Sequence, residues 1–428
     1  MTEETGIKRV TFVGAGFSKW AGFPLGGELV NSLGRYVKGE LLWNGKGSEL
    51  KNSLRKSRAD DEDRRQLVND LETFVGTYFG KDRVPSLFLD SPSEPIDLNE
   101  FYSIADALSE TPNLFAQTKS DTPANEAEMR LASLYPRIAS ATRTYFNDLF
   151  DGSPDQPADV QSIFDAVDHT SHAFVNFNWD EILDFEFSVG ADGSRNREIC
   201  YTLEAWKNGD KDQKNYLLLK PHGSANWYDV AQGIDNKYKF YIADNDRRIP
   251  KEKKRIISYY EVEQPVMIAE RRKRHPRLHC PPVITPPTLG KRFSYLEQQL
   301  IWRDVIDVCR EATEFVFLGY RIGRDDYLTR ATIRLAQNSG LNKKIKALAV
   351  MPWTSPWPKE EAQLVESERE TLVAFRSVFG KAFGECNVLD WELGNSKHED
   401  PASLARIITE RLDDAVISKS SSNSHRSA

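Results

Sequence analysis

Short, nearly continuous hydrophobic runs are the feature of this sequence that most constrains its fold. Six such runs occur, at residues 10–13, 173–177, 217–220, 282–285, 315–318 and 345–350. A strand covered on both faces has this appearance, whereas a strand with one solvated face alternates between apolar and polar residues. Amphipathic stretches lie between many of the runs; residues 292–312, for example, carry apolar side chains three or four positions apart. The sequence therefore predicts an α/β fold with a mostly parallel sheet.

A long interval follows the first run before the next confident strand. Its pattern predicts helices over residues 25–37, 61–80, 98–110 and 124–150. We therefore predict a Rossmann-like domain over residues 1–395 with a large helical insertion at about 40–170. Residues 396–428 are predicted to form a C-terminal helix and a disordered tail, because residues 418–428 are rich in serine.

Composition excludes several classes of protein. No apolar run approaches the ~20 residues of a membrane span, and the first residues lack the apolar stretch of a secretory signal. The four cysteines are scattered without a Cys-x-x-Cys pair, so neither a disulfide framework nor a zinc ribbon is expected. We expect a cytoplasmic protein without a metal and without membrane association.

One segment departs from the overall net charge of −7. Residues 247–277 contain 11 basic and 4 acidic side chains, a local charge of +7. Such a run is typical of a solvated loop, but it would also suit contact with a nucleic acid or an acidic partner. Because the whole chain is acidic, we expect nucleic acid to be at most an indirect partner.

Glycines follow the first predicted strand in the sequence Gly14-Ala15-Gly16-Phe17-Ser18. Glycines at this position allow backbone N–H groups to approach a pyrophosphate, and the Ser18 hydroxyl is a further donor. The alternative is that they only form a tight turn. The dinucleotide fingerprint Gly-x-Gly-x-x-Gly is not met, since position 19 is lysine, and no Walker-type loop is present.

Three other predicted strands end in residues that carry chemistry. Asn178 and Asp180 follow the second strand and can bind ribose hydroxyls or orient water, although Asp180 also suits the cap of the next helix. His222 lies between proline and glycine and suits proton transfer, or a structural role. Gly319 and Tyr320 form either a ligand-contacting turn or an ordinary βα junction. The carboxyl ends of parallel strands share one edge, so the four motifs are expected to converge there.

In this order the motifs resemble the sirtuin-like superfamily, and in particular the bacterial sirtuin-like NADases of antiphage defence. The resemblance spans roughly residues 8–352. It rests on residues 14–18 with 21–24, then 178–180, 222–227, 286–288, Trp302 and 319–320.

The resemblance implies that the chain cleaves NAD at the nicotinamide–ribose bond, with NAD as substrate and no metal. It implies phosphate binding at Gly14, Ala15, Gly16 and Ser18, catalysis by Asn178, Asp180 and His222, a nicotinamide-pocket gate at Phe17, and adenosine contact at Gly319 and Tyr320.

Two departures separate this chain from deacetylating sirtuins. The paired-cysteine zinc module is missing, and Phe23-Pro24-Leu25-Gly26 stands where those enzymes have an Asp-Phe-Arg segment. The resemblance therefore favours plain NAD hydrolysis, by a defence effector controlled through homo-oligomerisation or through a partner such as a HerA-type hexameric ATPase. The alternatives are a non-catalytic NAD or nucleotide sensor, a protein deacetylase, and a nucleic-acid-binding module built on residues 247–277.

Overall fold

A computed structural model gives the arrangement of most of the chain. The residues it describes are 6–40, 58–89, 92, 94–110, 131, 134–151, 157–188, 197–209, 214–229, 240–243, 256–258, 282–284, 296–323, 326–338, 344–352, 365–381, 383–393 and 400–417.

Among the residues given above, eight strands form the main sheet. They are β1 (Arg9–Val13), β2 (His172–Asn176), β3 (Arg197–Cys200), β4 (Lys214–Leu219), β9 (Glu314–Leu318), β10 (Ile345–Met351), β11 (Val388–Asp390) and β12 (Val416–Ile417). The strand order is β11-β10-β9-β1-β2-β4-β3, all pairs being parallel, and β12 pairs antiparallel with β10. The predicted mostly parallel α/β sheet is confirmed.

The order in which strands are added to the sheet reverses at β1. After β1 the chain builds β2, β4 and β3 on one side, and β9, β10 and β11 on the other. Such a reversal opens a crevice at the carboxyl ends of the two strands concerned, because their connections leave in opposite directions. This crevice lies beyond Val13 and Leu318, which are paired in register.

The described residues between β1 and β2 are mainly helical. The helices are α1 (Ala15–Ser18), α2 (Leu29–Lys38), α3 (Arg58–Tyr78), α4 (Leu98–Glu110), α5 (Leu134–Asp151) and α6 (Ala158–Asp165), with a 3₁₀ stretch at Lys81–Phe88. The large helical insertion is therefore present. The predicted helix over residues 98–110 has the same bounds as α4, and those over 25–37 and 61–80 correspond to α2 and α3 with shifted ends.

The other helices in the described part of the chain cover the sheet. They are α7 (Ile182–Ser188), α8 (Leu203–Asn208), α9 (Leu296–Glu311), α10 (Tyr327–Asn338), α11 (Glu366–Phe379) and α12 (Leu404–Asp414). Through β12, the segment after α12 joins the main sheet at β10. In the part of the chain given above, no helix is both long and apolar enough to cross a membrane.

A second, antiparallel sheet corrects one sequence prediction. Its strands, in the order β7-β6-β5-β8, are β5 (Gly223–Asp229), β6 (Phe240–Ala243), β7 (Ile256–Ser258) and β8 (Pro282–Ile284). The run at residues 282–285 was predicted as a strand of the parallel sheet, but β8 pairs antiparallel with β5. A short apolar run marks a buried strand without specifying its partner, which explains the error.

Two sequence predictions fall largely beyond the described residues. Within the basic segment 247–277 only β7 is described, and the tail 418–428 lies outside the described residues.

Candidate functional site

A cavity of about 1000 Å³ lies at the carboxyl edge of the main sheet. Residues that follow β1, β2, β4, β9, β10 and β11 line it, and helices of the insertion close one side. The cavity brings together nearly all the predicted site residues: Gly14, Ala15, Gly16, Ser18, Asn178, Asp180, His222, Gly319 and Tyr320. Phe17 is the exception.

The turns after β1 and β9 touch each other through their glycines. Gly319 has a φ of +56°, and a Cβ added there would lie 2.2 Å from the Phe17 nitrogen. A Cβ on Gly14 would lie 2.7 Å from the Tyr320 Cα, and one on Gly16 would lie 2.9 Å from the Gly319 carbonyl oxygen. These glycines are therefore needed for the close approach of two backbone turns, whether or not a ligand is bound.

The backbone hydrogen bonds at this turn change one expectation. The Gly16 N–H donates to the Gly319 carbonyl oxygen at 3.0 Å, and the Phe17 N–H donates to the Gly14 carbonyl oxygen at 2.9 Å. Because an amide N–H has one proton to donate, these two groups are already used within the protein. A phosphate at this turn has to be held by other donors.

Asn178, Ser18 and Asp180 form one hydrogen-bonded chain. The Asn178 Nδ2 donates to the Gly14 carbonyl oxygen at 2.8 Å and to the Ser18 Oγ at 3.0 Å. The Ser18 hydroxyl in turn donates to the Asp180 Oδ2 at 2.7 Å. Since a carbonyl oxygen can only accept, the Nδ2 end of the amide is fixed, and Oδ1 remains as an acceptor on a cavity-lining residue.

Both carboxylate oxygens of Asp180 accept hydrogen bonds from the protein. Oδ2 accepts from Ser18, and Oδ1 accepts from the Ile182 N–H at the beginning of α7 at 3.1 Å. Asp180 therefore lines the cavity, as predicted for a site residue, and also accepts a hydrogen bond from the first residue of α7, as predicted for a helix cap. Burial raises the pKa of this carboxyl, and the Lys220 ammonium and the Ser18 hydrogen bond offset only part of the rise.

His222 lies on the turn between β4 and β5 and is 7% exposed. The turn is closed by a hydrogen bond from the Gly223 N–H to the Lys220 carbonyl oxygen at 2.9 Å, and Gly223 has a φ of +75°. The imidazole packs against the Phe177 ring, with 5.0 Å between ring centroids. His222, Phe177 and Asn178 thus line the same cavity.

Tyr320 uses its hydroxyl inside the protein. The hydroxyl donates to the Asp326 carboxylate, and the ring stacks on Phe177 with 4.6 Å between centroids. Burial, together with the adjacent Asp326 carboxylate, raises the pKa of Tyr320 well above its ordinary value. The residue therefore offers a ligand an aromatic surface rather than a proton.

Phe17 points into the core instead of into the cavity. It is 1% exposed, and its ring packs edge-on against Phe164 of α6 with 6.3 Å between centroids. The expected role as a gate of the ligand pocket has no counterpart in this placement, because a side chain enclosed by the core cannot close over a cavity.

Several cavity-lining residues were missed by the sequence reasoning. The helical insertion and the segment before it contribute Trp20, Leu29, Leu98 and Phe146, and the chain after β11 contributes Trp391, Glu392 and Leu393. The Lys19 ammonium lies 3.6 Å from the Glu392 carboxylate, so an ion pair joins the β1 turn to this last segment. The tryptophan, leucine and phenylalanine side chains of this group look like ordinary core residues in the sequence, and no local motif indicates that they belong to a site.

No group of three or more histidine, cysteine, aspartate or glutamate side chains within the described ranges is arranged to hold a metal ion.

Comparison with known proteins gives only remote likenesses. The sequence matches no protein-family model, and no curated protein sequence is similar to it. Similar solved structures include a Sir2 homologue with a serine-to-alanine mutation, in complex with ADP ribose, at 9% identity and a TM-score of 0.32. Another is a histidine-to-asparagine mutant of a Sir2 homologue with ADP ribose, at 10% identity and the same TM-score of 0.32. Each alignment covers 95% of this chain and 93% of the other. A TM-score this low supports no conclusion about this chain, and the fold described above rests on its own strand pairing.

Proposed function

We propose that this chain is an NAD⁺ glycohydrolase, which cleaves the bond between nicotinamide and ribose. The observation that carries the proposal is that one cavity is lined both by an oriented carboxamide, Asn178, and by an imidazole, His222. Its volume of about 1000 Å³ is at the upper end of small-molecule sites, as a dinucleotide requires.

Cleavage of the nicotinamide–ribose bond requires little acid catalysis. Nicotinamide departs from NAD⁺ as a neutral molecule, because the electron pair of the breaking C–N bond cancels the positive charge of its ring. The demanding species is the oxocarbenium-like ribosyl centre, as in glycoside hydrolysis. The protein therefore has to position the ribose and a water molecule and to take up one proton.

Asn178 suits the positioning task. Its Nδ2 is held by the Gly14 carbonyl oxygen and by Ser18, so its Oδ1 is a preoriented acceptor for a ribose hydroxyl or for the attacking water. Fixing a reacting group in this way removes the entropy cost of orienting it during the reaction. Asp180 is a positioning residue that acts on Asn178 through Ser18, because both its carboxylate oxygens already accept hydrogen bonds from the protein.

His222 suits the proton transfer. As water attacks the ribosyl carbon, its oxygen forms the new bond, the C–N bond breaks, and the water proton passes to the imidazole. The products are nicotinamide and ADP-ribose. The side chains of Lys19 and Arg321 line the same cavity and supply positive charge for the pyrophosphate, which the N–H groups of Gly16 and Phe17 cannot bind.

The test is incubation of the purified full-length chain with NAD⁺, with products resolved by chromatography. We expect free nicotinamide and ADP-ribose in equal amounts, and a loss of at least about 100-fold in turnover for His222→Ala and for Asn178→Ala. His169→Ala and Asn208→Ala are matched controls, since neither residue lines the cavity. Failure to release nicotinamide under any condition contradicts the proposal.

The same incubation separates the alternatives. A non-catalytic sensor binds NAD⁺ and releases nothing. A protein deacetylase releases nicotinamide only when an acetylated peptide is added. Turnover without peptide distinguishes the proposed hydrolase from both.

The sequence resemblance also suggests a cellular role for the proposed activity. It supports a cytoplasmic effector of bacterial antiphage defence that depletes cellular NAD and is held inactive by homo-oligomerisation or by a HerA-type ATPase. Expression of the wild type and of His222→Ala during phage infection, with and without the neighbouring gene product, tests this. Cellular NAD should fall only with the wild type. An equal fall with His222→Ala would contradict it.

A further inference from the structure

Lys220 is a fully buried lysine immediately after β4. Its side chain is 0% exposed. This is rare for a lysine, because a buried ammonium loses its hydration free energy, and close polar partners have to offset that loss. The partners are present: Nζ donates to the Asp180 carbonyl oxygen at 2.8 Å, to the Asp184 Oδ2 at 2.6 Å and to the Ser224 Oγ at 2.6 Å. An ammonium has three protons, and all three are used.

The three acceptors come from different parts of the site. Asp180 is in the turn that carries Asn178, Asp184 is in α7, and Ser224 is the second residue of β5, directly after the His222 turn. Asp184 is held in turn by the Tyr201 hydroxyl, at 2.5 Å from Oδ1. The ammonium therefore joins the turn that carries the carboxamide to the turn that carries the imidazole.

A second contact strengthens this connection. The Ser224 hydroxyl donates to the Trp179 carbonyl oxygen at 3.3 Å, and the Ala225 N–H donates to the same oxygen at 2.7 Å. Trp179 lies between Asn178 and Asp180. The beginning of β5 is thus bonded to the 178–180 turn both directly and through Lys220.

We propose that Lys220 is a positioning residue for NAD cleavage, which fixes the spacing between the Asn178–Asp180 turn and the His222 turn. The inference rests on the proposed function and adds to it a residue that does not line the cavity. Lys220 acts through its three hydrogen bonds and through its charge, and it does not touch the substrate.

The charge of Lys220 also acts on Asp180. Four groups bear on the Asp180 carboxyl besides burial: Lys220 lowers its pKa, the hydrogen bonds from Ser18 and from the Ile182 N–H lower it, and Asp184 raises it. The ionised carboxylate is the stronger acceptor for the hydrogen bond from the Ser18 hydroxyl, whose oxygen in turn accepts from Asn178. Without Lys220 the pKa of Asp180 rises further, and the loss of activity at acidic pH begins at a higher pH.

The decisive variant is Lys220→Met, which keeps the length of the side chain and removes the charge and the donors. We expect a loss of about 100-fold in kcat, the size associated with a small displacement of reacting groups. The dissociation constant for NAD⁺ should change by less than about threefold, because cavity contacts remain. The acidic limb of the kcat profile should move to higher pH, which a purely structural defect would not cause.

Arg137→Met is the matched control. It breaks the Arg137–Asp70 ion pair in the helical layer, away from the cavity. We expect lower stability with unchanged kcat. If Arg137→Met lowered kcat as much as Lys220→Met does, a general loss of rigidity would explain both and the inference would fail.

A double variant separates positioning from charge balance. Lys220→Met with Asp184→Asn removes the carboxylate that the single variant leaves buried without its cation, so stability should recover while kcat stays low. Recovery of kcat would overturn the inference, because Lys220 would then serve only to neutralise Asp184.

Ser224→Ala covers the case in which Lys220→Met does not fold. It removes one acceptor of the ammonium without changing the charge, and we expect about a tenfold fall in kcat. Wild-type kcat in Ser224→Ala would then overturn the inference. A wild type that releases no nicotinamide defeats the proposed function itself, whereas an active wild type with an equally active Lys220→Met defeats only the role of Lys220.

Discussion

Replacing Gly319 by alanine tests the close approach of the two turns beneath the cavity. Two costs add. A left-handed φ of +56° costs alanine about 1 kcal/mol relative to glycine. The new Cβ would also lie 2.2 Å from the Phe17 nitrogen and 2.4 Å from the Gly16 carbonyl carbon. Both neighbours are backbone atoms, so relief requires the turns to separate by about 1 Å, and such overpacking typically costs about 1–3 kcal/mol.

Separation of the turns also breaks the hydrogen bond from the Gly16 N–H to the Gly319 carbonyl oxygen, worth about 1 kcal/mol. The sum is about 4 kcal/mol, a large share of the stability of an ordinary domain. Urea unfolding followed by tryptophan fluorescence measures it, with the free energy of unfolding obtained by linear extrapolation.

Two control variants isolate the terms. Gly22→Ala places alanine at a φ of +85° with no atom within 4 Å of the added Cβ, so it should cost about 1 kcal/mol. Gly16→Ala is in α1 without a positive φ and meets the Gly319 carbonyl oxygen at 2.9 Å, so it should cost about 2 kcal/mol. If Gly319→Ala costs no more than Gly22→Ala, the turns do not touch as the structure shows.

Three further predictions concern stability. Burial lowers the pKa of His172 to about 3. Between this value and the ordinary pKa of about 6.5, the histidine is protonated in the unfolded chain but not in the folded chain. The free energy of unfolding therefore falls as pH drops below about 6.5. At pH 4.5 this amounts to about 2.7 kcal/mol, and calorimetry across this range should show a flatter pH dependence for His172→Gln. Burial raises the pKa of Glu314, but cations led by Arg9 more than offset it and leave the pKa below its ordinary value. Glu314→Gln should therefore cost about 2 kcal/mol at pH 7, with a cost that disappears as pH falls through the folded-state pKa; an equal cost at pH 3 would show that the charge is not responsible. Trp391→Phe removes the Nε1 hydrogen bond to the Asp159 Oδ2 at 2.9 Å and should lower the unfolding free energy by about 2 kcal/mol, measurable by urea denaturation and absent if that bond does not form.

The sequence determined the central strands of the main sheet. A strand buried on both faces is apolar at most positions, so β1, β2, β4, β9 and β10 could be located from their composition alone. The glycines and polar residues that follow these strands could be assigned to one edge, since parallel strands end on the same side. That reasoning also predicts that Asn178 and His222 lie at the same edge of the sheet, where the structure has a common cavity.

Local pattern did not determine how the same residues are used. The glycines after β1 were expected to bind a phosphate and Gly319 after β9 to contact the adenosine half, yet they pack against each other, and the N–H groups of Gly16 and Phe17 are bonded within the protein. Phe17 lies in the core. Each outcome depends on which turn lies opposite, and residues 16 and 319 are too far apart in the chain for a local motif to record it.

Only the tertiary structure identified Lys220 and the distant walls of the cavity. A lysine in a sequence indicates a surface position, and its burial becomes acceptable only when Asp180, Asp184 and Ser224 supply acceptors. Trp391 reaches the site because its indole is bonded to Asp159, 232 residues earlier in the chain. Hydrophobic periodicity specifies which faces are buried, but the partners that satisfy buried polar groups are specified by the whole fold.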